Sequence, residues 1–143
     1  MRQLIRNAIE ILSLSKSTVT LKELARFVRD APTGTEHLEK DSKWWDTSFC
    51  AKCLEEADQR EKTPREQNDF DMATDYWLHE YPNLGDRTRS SIVATFTSVA
   101  DQLLHGLAWE LLCTETTIVP EVTYKNGAII ILDLPVQEYQ ELG

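Results

Sequence analysis

Residues 85–104 read GDRTRSSIVATFTSVADQLL, and this stretch predicts the helix on which the fold depends. Apolar side chains recur at helical spacing, at Ile92, Phe96, Val99 and Leu103, with Val93, Ala100 and Leu104 beside them. The opposite face is predicted to be polar, with Arg89, Thr97, Asp101 and Gln102. Gly85 breaks the preceding pattern, and Asp86 is predicted to be the N-cap. An amphipathic helix is stable only when other elements cover its apolar face, so we expect this helix to lie at the centre.

Composition favours one ordinary globular domain and argues against a free-standing DNA-binding module. The chain has 143 residues, 41% of them hydrophobic, and a formal net charge of -9 with a pI of about 4.8. Fourteen acidic and six basic residues lie between Glu36 and Asp86, so this segment holds eight of the nine excess negative charges. This acidic segment forms either a solvated helical surface or a docking surface for a basic partner.

Three cysteines do not make a full disulfide framework, and the chain shows neither a signal peptide nor a long apolar span. We therefore expect a cytoplasmic location for this chain. Any membrane association of a longer protein would come from another segment. The first helical pattern begins directly after Met1 with no capping residue, and we expect the domain to have been cut from something longer.

Four further helices are predicted before residue 85. The first covers Arg2 to Leu14, and its buried candidates are Leu4, Ile5, Ala8, Ile9 and Leu12. The second begins at a capping box, Thr20 to Glu23, and ends near Asp30. The third begins at Thr47 or Ser48 and ends near Lys62. Of the preceding pair Trp44-Trp45, we expect one indole to be buried and the other to lie near the surface.

The fourth predicted helix has the strongest start signal, because Thr63-Pro64-Arg65-Glu66 combines a capping box with proline at the first helical position. Its apolar stripe is Phe70, Ala73, Trp77 and Tyr81, and Pro82 ends it. After the central helix, a short one is predicted from Leu107 to Leu112.

The pattern changes to β beyond Cys113. Residues 116–119 are mostly β-branched, Val122-Thr123-Tyr124 follows Pro120, and Lys125-Asn126-Gly127 predicts a turn. The run Ala128 to Leu132 is apolar without interruption, which is typical of a strand covered on both faces. Few other strands are predicted, so we expect this strand to need neighbours from elsewhere.

Two patterns could carry chemistry, and both are incomplete. Cys50-Ala51-Lys52-Cys53 is a single C-x-x-C, which indicates either small buried residues or, less often, zinc or redox chemistry. Ile129 to Asp133 is similar to a Walker B strand, but Leu134 stands where a second acid is needed. No G-x-x-x-x-G-K-[ST] loop occurs. We expect no ATP hydrolysis by this chain alone.

Arg87, Arg89 and Ser90 form the candidate site. Arginines, hydroxyls and free helix amides together suit a phosphate group. The other interpretation is a solvated first turn whose arginines pair with Asp86 or a neighbour.

The pattern over residues 86–98, with Tyr76-Trp77 and Glu80-Tyr81-Pro82 before it and Gly127 to Val136 after it, resembles a known family. It is similar to the all-α insertion of type IV secretion coupling ATPases, the TraD/TraG-like conjugative DNA-transfer motors of the FtsK-related P-loop class. The resemblance extends over most of the chain and is best from Thr63 onward.

The helical patterns predict a mainly α fold, a bundle of five to six helices in residues 1–114. The resemblance implies that residues 115–143 return the chain as a short β element to the sheet of a larger α/β ATPase. By the resemblance, Asp133 is not the magnesium acid, and ATP and Mg belong to the full-length family while this chain holds no cofactor. Arg87, Arg89 and Ser90 would contact DNA or a neighbouring ring subunit. Implied partners are ring-forming subunits, DNA and relaxosome-type proteins. The other hypothesis is a self-contained acidic cytosolic interaction domain, and a zinc module is a third.

Overall fold

The computed structural model describes residues 1–39, 41–114, 119–127, 129 and 131, and these are mainly helical. In chain order, the described α-helices are α1 (Arg2–Ser15), α2 (Leu21–Arg29), α3 (Lys43–Thr47), α4 (Phe49–Gln59), α5 (Pro64–Asp75), α6 (Asp86–Leu104), α7 (Gly106–Leu112) and α8 (Pro120–Asn126). A 3-10 turn covers Thr35–Leu38, and a π-helical turn, Tyr76–Glu80, extends α5. The chain divides into two units, Met1–Thr97 and Ser98–Gly143. The mainly α class is confirmed, but the described residues form eight α-helices, more than the five or six predicted.

Helix α1 occupies the centre of the first unit, where α2, α4 and α5 pack around it. Its buried residues are Leu4, Asn7, Ala8, Ile11, Leu12 and Leu14. The predicted stripe was therefore wrong at Ile9, which is exposed, and it missed Ile11. The buried face of α1 is the one that contacts α2, α4 and α5. The positions of these three helices cannot be predicted from the periodicity of α1 alone.

Both predicted capping boxes are confirmed. The Thr20 Oγ1 accepts from the Glu23 backbone N–H at 3.2 Å, and the Thr63 Oγ1 accepts from that of Glu66 at 3.3 Å. Each glutamate accepts in return from the threonine backbone N–H. A cap contributes about 1 kcal/mol, and its bonds join residues that are three positions apart. Because these residues are close in the sequence, a cap can be predicted from the sequence alone.

Asp30, at the end of α2, anchors the start of α3 and α4. Its carbonyl oxygen accepts hydrogen bonds from the Trp44 Nε1–H and the Ser48 hydroxyl, each at 2.8 Å. Its carboxylate accepts from the Phe49 N–H at 3.2 Å. Trp44 is buried by this arrangement and Trp45 is half-buried, which confirms that one of the two indoles packs. Ser48 also caps α4.

The aromatic core of the first unit is centred on Trp77, which is fully buried. Its ring centroid lies 5.1 Å from that of Phe27, 5.0 Å from that of Tyr76 and 5.0 Å from that of Tyr81. Such edge-on and tilted pairs contribute about 0.5–1.5 kcal/mol each beyond the apolar area that they bury. The π-helical turn brings three of these rings together, and Phe27 connects them to α2.

The prediction that α6 lies at the centre was wrong, because α1 occupies the centre of the first unit. Phe96 and Ala100 are buried, but Val99 on the same predicted stripe is exposed. The N-cap prediction was also wrong, because the Gly85 carbonyl accepts the first helical bonds from the N–H groups of Thr88 and Arg89. Asp86 is thus the first residue of the helix. Its carboxylate still interacts favourably there with the positive end of the helix dipole.

The second unit contains the end of α6, then α7 and α8. Residues 122–124, predicted as β, are helical in α8. The helix signals outweigh the β propensity here: Pro120 is the first helical residue, Glu121 lies in the first turn, and Gly127 follows the helix with φ of 64°.

Most of the predicted C-terminal strand lies outside the described residues, as do residues 116–118 and Asp133. Ile129 and Ile131 are described, and neither belongs to a helix or strand. The predicted domain boundary after residue 114 stays a prediction.

We expect Trp77→Ala to lower the free energy of unfolding by about 3–5 kcal/mol, because it removes the largest buried ring. Met72→Ala, on the exposed side of α5, serves as the control and should change stability by less than about 0.5 kcal/mol. Urea titration followed by far-UV circular dichroism measures both. A loss below about 1 kcal/mol for Trp77→Ala would show that the aromatic core is not the main source of stability.

Candidate functional site

The candidate site lies at the connection between the π-helical turn and α6. The Tyr81 N–H donates to the Tyr76 carbonyl at 2.8 Å, and the Leu84 N–H donates to the Tyr81 carbonyl at 3.2 Å. The Asn83 side chain donates to the His79 carbonyl at 2.7 Å. These bonds fold residues 80–85 into a tight connection, which sets the position of the α6 N-terminus.

Arg89 lies inside this connection, although the sequence pattern placed it on a polar face. Its side chain is only 11% exposed. One guanidinium nitrogen donates to the carbonyl oxygens of Pro82 at 3.3 Å and Leu84 at 3.0 Å, and the other pairs with the Asp86 carboxylate. Arg89 therefore satisfies carbonyls that the ended helix leaves open. Its guanidinium therefore stabilises the connection between the π-helical turn and α6.

Arg87 and Ser90 lie on the exposed side of the same helical turn. The Ser90 hydroxyl donates to the Arg87 carbonyl at 3.1 Å. The Arg87 side chain makes no ion pair or hydrogen bond within the described part of the chain. Of the three predicted contact residues, Arg87 is thus the one that presents an uncommitted cation to solvent. A contact of any of the three with DNA or a subunit stays a prediction.

A groove of about 340 Å³ runs along this turn and brings together residues that are far apart in sequence. Its lining includes Val28, Arg29, Tyr81, Arg89, Ser90 and Val93. Tyr81 is 1% exposed. Burial raises the pKa of its hydroxyl, and the charge of Arg89 opposes that rise. The groove therefore holds a buried phenol beside the Arg89 guanidinium, and Asp86 and Arg29 also line it.

Sequence reasoning did not identify Tyr81 and Arg29 as groove residues. Tyr81 was predicted only as part of an apolar stripe, and Arg29 carried no pattern of its own. They meet because the aromatic core joins α2 to the π-helical turn. No local signal could have indicated this, since the two residues are separated by more than 50 positions.

Cys50 and Cys53 both lie on the buried face of α4. Burial raises the pKa of the Cys50 thiol well above its ordinary value, and burial also raises that of Cys53. Both thiols are therefore deprotonated less readily than an ordinary cysteine, which does not favour nucleophilic attack. Among the described residues, no group of three or more His, Cys, Asp or Glu side chains is placed to hold a metal ion.

No family model, curated protein or solved structure matches this chain. None of the helices in the described ranges has both the length and the apolar character needed to cross a bilayer.

We expect Arg89→Met to lower the free energy of unfolding by about 1.5–3 kcal/mol, because it removes charge-assisted bonds to the Pro82 and Leu84 carbonyls. Arg87→Met makes the same change of charge two residues away and should cost less than about 0.5 kcal/mol. Thermal or urea unfolding of the two variants checks the difference. Equal losses for the two variants would contradict the inward role of Arg89.

The thiols provide a second check of the fold. In the native protein near pH 8, Cys113, which is half-buried, should react with a disulfide reagent while Cys50 and Cys53 stay unreactive until the chain is unfolded. Addition of EDTA should leave this pattern unchanged. Release of two further thiols by EDTA would instead indicate a metal bound at Cys50 and Cys53.

Proposed function

We propose that this chain is part of a conjugative DNA-transfer or type IV secretion coupling ATPase, and that its helices contribute to recognition of the DNA substrate or of partner proteins. Two features support the proposal: the sequence resemblance over residues 76–98, and the exposure of Ile129 and Ile131. ATP and magnesium would bind elsewhere in such a motor, and the location would be cytoplasmic.

The observation that carries the proposal is the exposure of Ile129 and Ile131, at 88% and 85%. Burying an isoleucine side chain stabilises a protein by about 1.5–3 kcal/mol. A surface that covers Ile129 and Ile131 would therefore be bound favourably by this apolar segment. In a coupling ATPase, the strand after the helical insertion returns to the central sheet. That sheet would supply neighbours on both faces of this segment.

Within such a motor, the residues at the start of α6 would have separate roles. Arg87 would meet a phosphate or an acidic group of a neighbouring subunit, with Ser90 as an adjacent hydroxyl. Arg89 would position that turn by its bonds to the Pro82 and Leu84 carbonyls.

A second candidate function is a self-contained acidic domain that binds a basic protein partner. It is favoured by the distribution of carboxylates along α4, α5 and the loop between them. The exposed members are Glu55, Glu56, Asp58, Glu61, Asp71 and Asp75. This surface is equally available in the motor, where it would dock relaxosome-type proteins.

Deleting the coding sequence in its host and measuring plasmid transfer tests the proposal. We expect transfer frequency to fall and the intact gene to restore it. Arg87→Glu should restore it poorly, while Lys22→Glu, a control on the exposed side of α2, should restore it fully.

Undiminished transfer after deletion would contradict the proposal and favour the self-contained domain. The flanking DNA gives an independent check, because the motor requires a Walker A loop upstream and an Asp-Glu strand downstream.

A further inference from the structure

A second groove, of about 390 Å³, lies along the N-terminal half of α1 and is separate from the candidate site described above. It is lined by Arg2, Gln3, Arg6 and Asn7 of α1, together with Met72 of α5 and Glu80 at the end of the π-helical turn. Its size falls within the range of small-molecule sites in proteins. None of these residues takes part in the function proposed above.

Asn7 gives this groove its specific character. It is only 7% exposed and lies on the buried face of α1, between Leu4 and Ile11. Its carboxamide makes no hydrogen bond with any other described residue. The unpaired polar atoms of Asn7 are not fully buried, so the carboxamide is open to a ligand or a solvent molecule in the groove that it lines.

Arg2 and Arg6 add two cations at the same place. They are four residues apart on one helix and therefore share a face. Both are exposed, and neither side chain forms an ion pair within the part of the chain that the structure describes. Arg26 pairs with Asp30, and Arg60 donates to the carbonyls of Ser13 and Leu14. Arg2 and Arg6, like Arg29 and Arg87, have no such partner among the described residues, and Arg2 and Arg6 are the pair that lies four residues apart on one helix.

The opposite wall of the groove is partly negative. The Glu80 carboxylate accepts from the Gln3 amide at 3.0 Å, so it already has a donor and is held at the rim. The first turn of α1 has no acidic residue, and the positive end of this 14-residue helix therefore lies beside the groove without a carboxylate of its own.

The geometry points to a phosphate-ester site in this groove. Two guanidiniums provide paired donors for the phosphate oxygens, and the Asn7 amide group donates from the buried side. The exposed Met72 side chain offers an apolar surface to the sugar or base that the phosphate carries. The ester is either a free mononucleotide or one phosphate of a nucleic-acid backbone, and this assignment does not depend on the coupling-ATPase proposal.

Nuclear magnetic resonance titration of the full chain tests this site, with the Asn7 side-chain amide as the local reporter. The probes are inorganic phosphate, thymidine monophosphate and a twelve-residue oligothymidylate. We expect all three to shift the Asn7 amide signals in a saturable way. Tighter binding of the monophosphate than of the oligomer, per phosphate, identifies a nucleotide site, and the reverse order identifies a nucleic-acid backbone.

Three variants of exposed residues make the test specific to charge and position. Arg6→Gln should weaken binding of thymidine monophosphate by at least about fivefold, as expected for loss of a charge-assisted hydrogen bond. Glu80→Gln should strengthen it, because the repelling carboxylate is replaced by an amide that still accepts from Gln3. Arg65→Gln changes the net charge as Arg6→Gln does, but far from the groove, and should change affinity by less than about twofold.

The proposal is overturned if the Asn7 signals do not shift with any probe. It is also overturned if Arg6→Gln and Arg65→Gln weaken binding equally, since the effect would then come from net charge alone. Circular dichroism of each variant establishes that it is folded.

Discussion

The Trp77 indole is surrounded by the rings of Phe27, Tyr76 and Tyr81, and the first unit depends on this buried contact. Phe27 belongs to α2, whereas Tyr76 begins the π-helical turn and Tyr81 follows it. An extra residue in a helical turn costs regular hydrogen bonding, so such turns persist where packing compensates. Here the compensation is the burial of three large side chains: burial raises the pKa of the Tyr76 hydroxyl to about 12 and raises that of Tyr81 as well.

The position of the two grooves follows from this contact. Because the π-helical turn is held against α2, Tyr81 and Arg29 meet across one groove, and the connection to α6 is bent so that Arg89 reaches the Pro82 and Leu84 carbonyls. The same turn ends at Glu80, which meets Gln3 of α1 at the rim of the other groove. One apolar cluster therefore positions polar groups from three separate parts of the chain.

Local signals in the sequence predicted local structure well, and they failed where distant contacts decide. The capping boxes at Thr20 and Thr63 depend on residues three positions apart, so both helix starts could be predicted. The burial of Ile11 instead of Ile9, the inward turn of Arg89 and the unpaired amide of Asn7 depend on neighbours far along the chain. Residues 122–124 have β propensity, yet they are helical because a helix-start proline precedes them and a glycine follows α8.

Native-state hydrogen exchange at the Tyr81 backbone amide tests the dependence of the first unit on the aromatic cluster most directly. This N–H closes the π-helical turn on the Tyr76 carbonyl at 2.8 Å. If the cluster holds the unit together, the amide exchanges only through global unfolding, and its opening free energy equals that of the best-protected amides of α1. Exchange through local opening, at a much lower free energy than those α1 amides, would contradict the account.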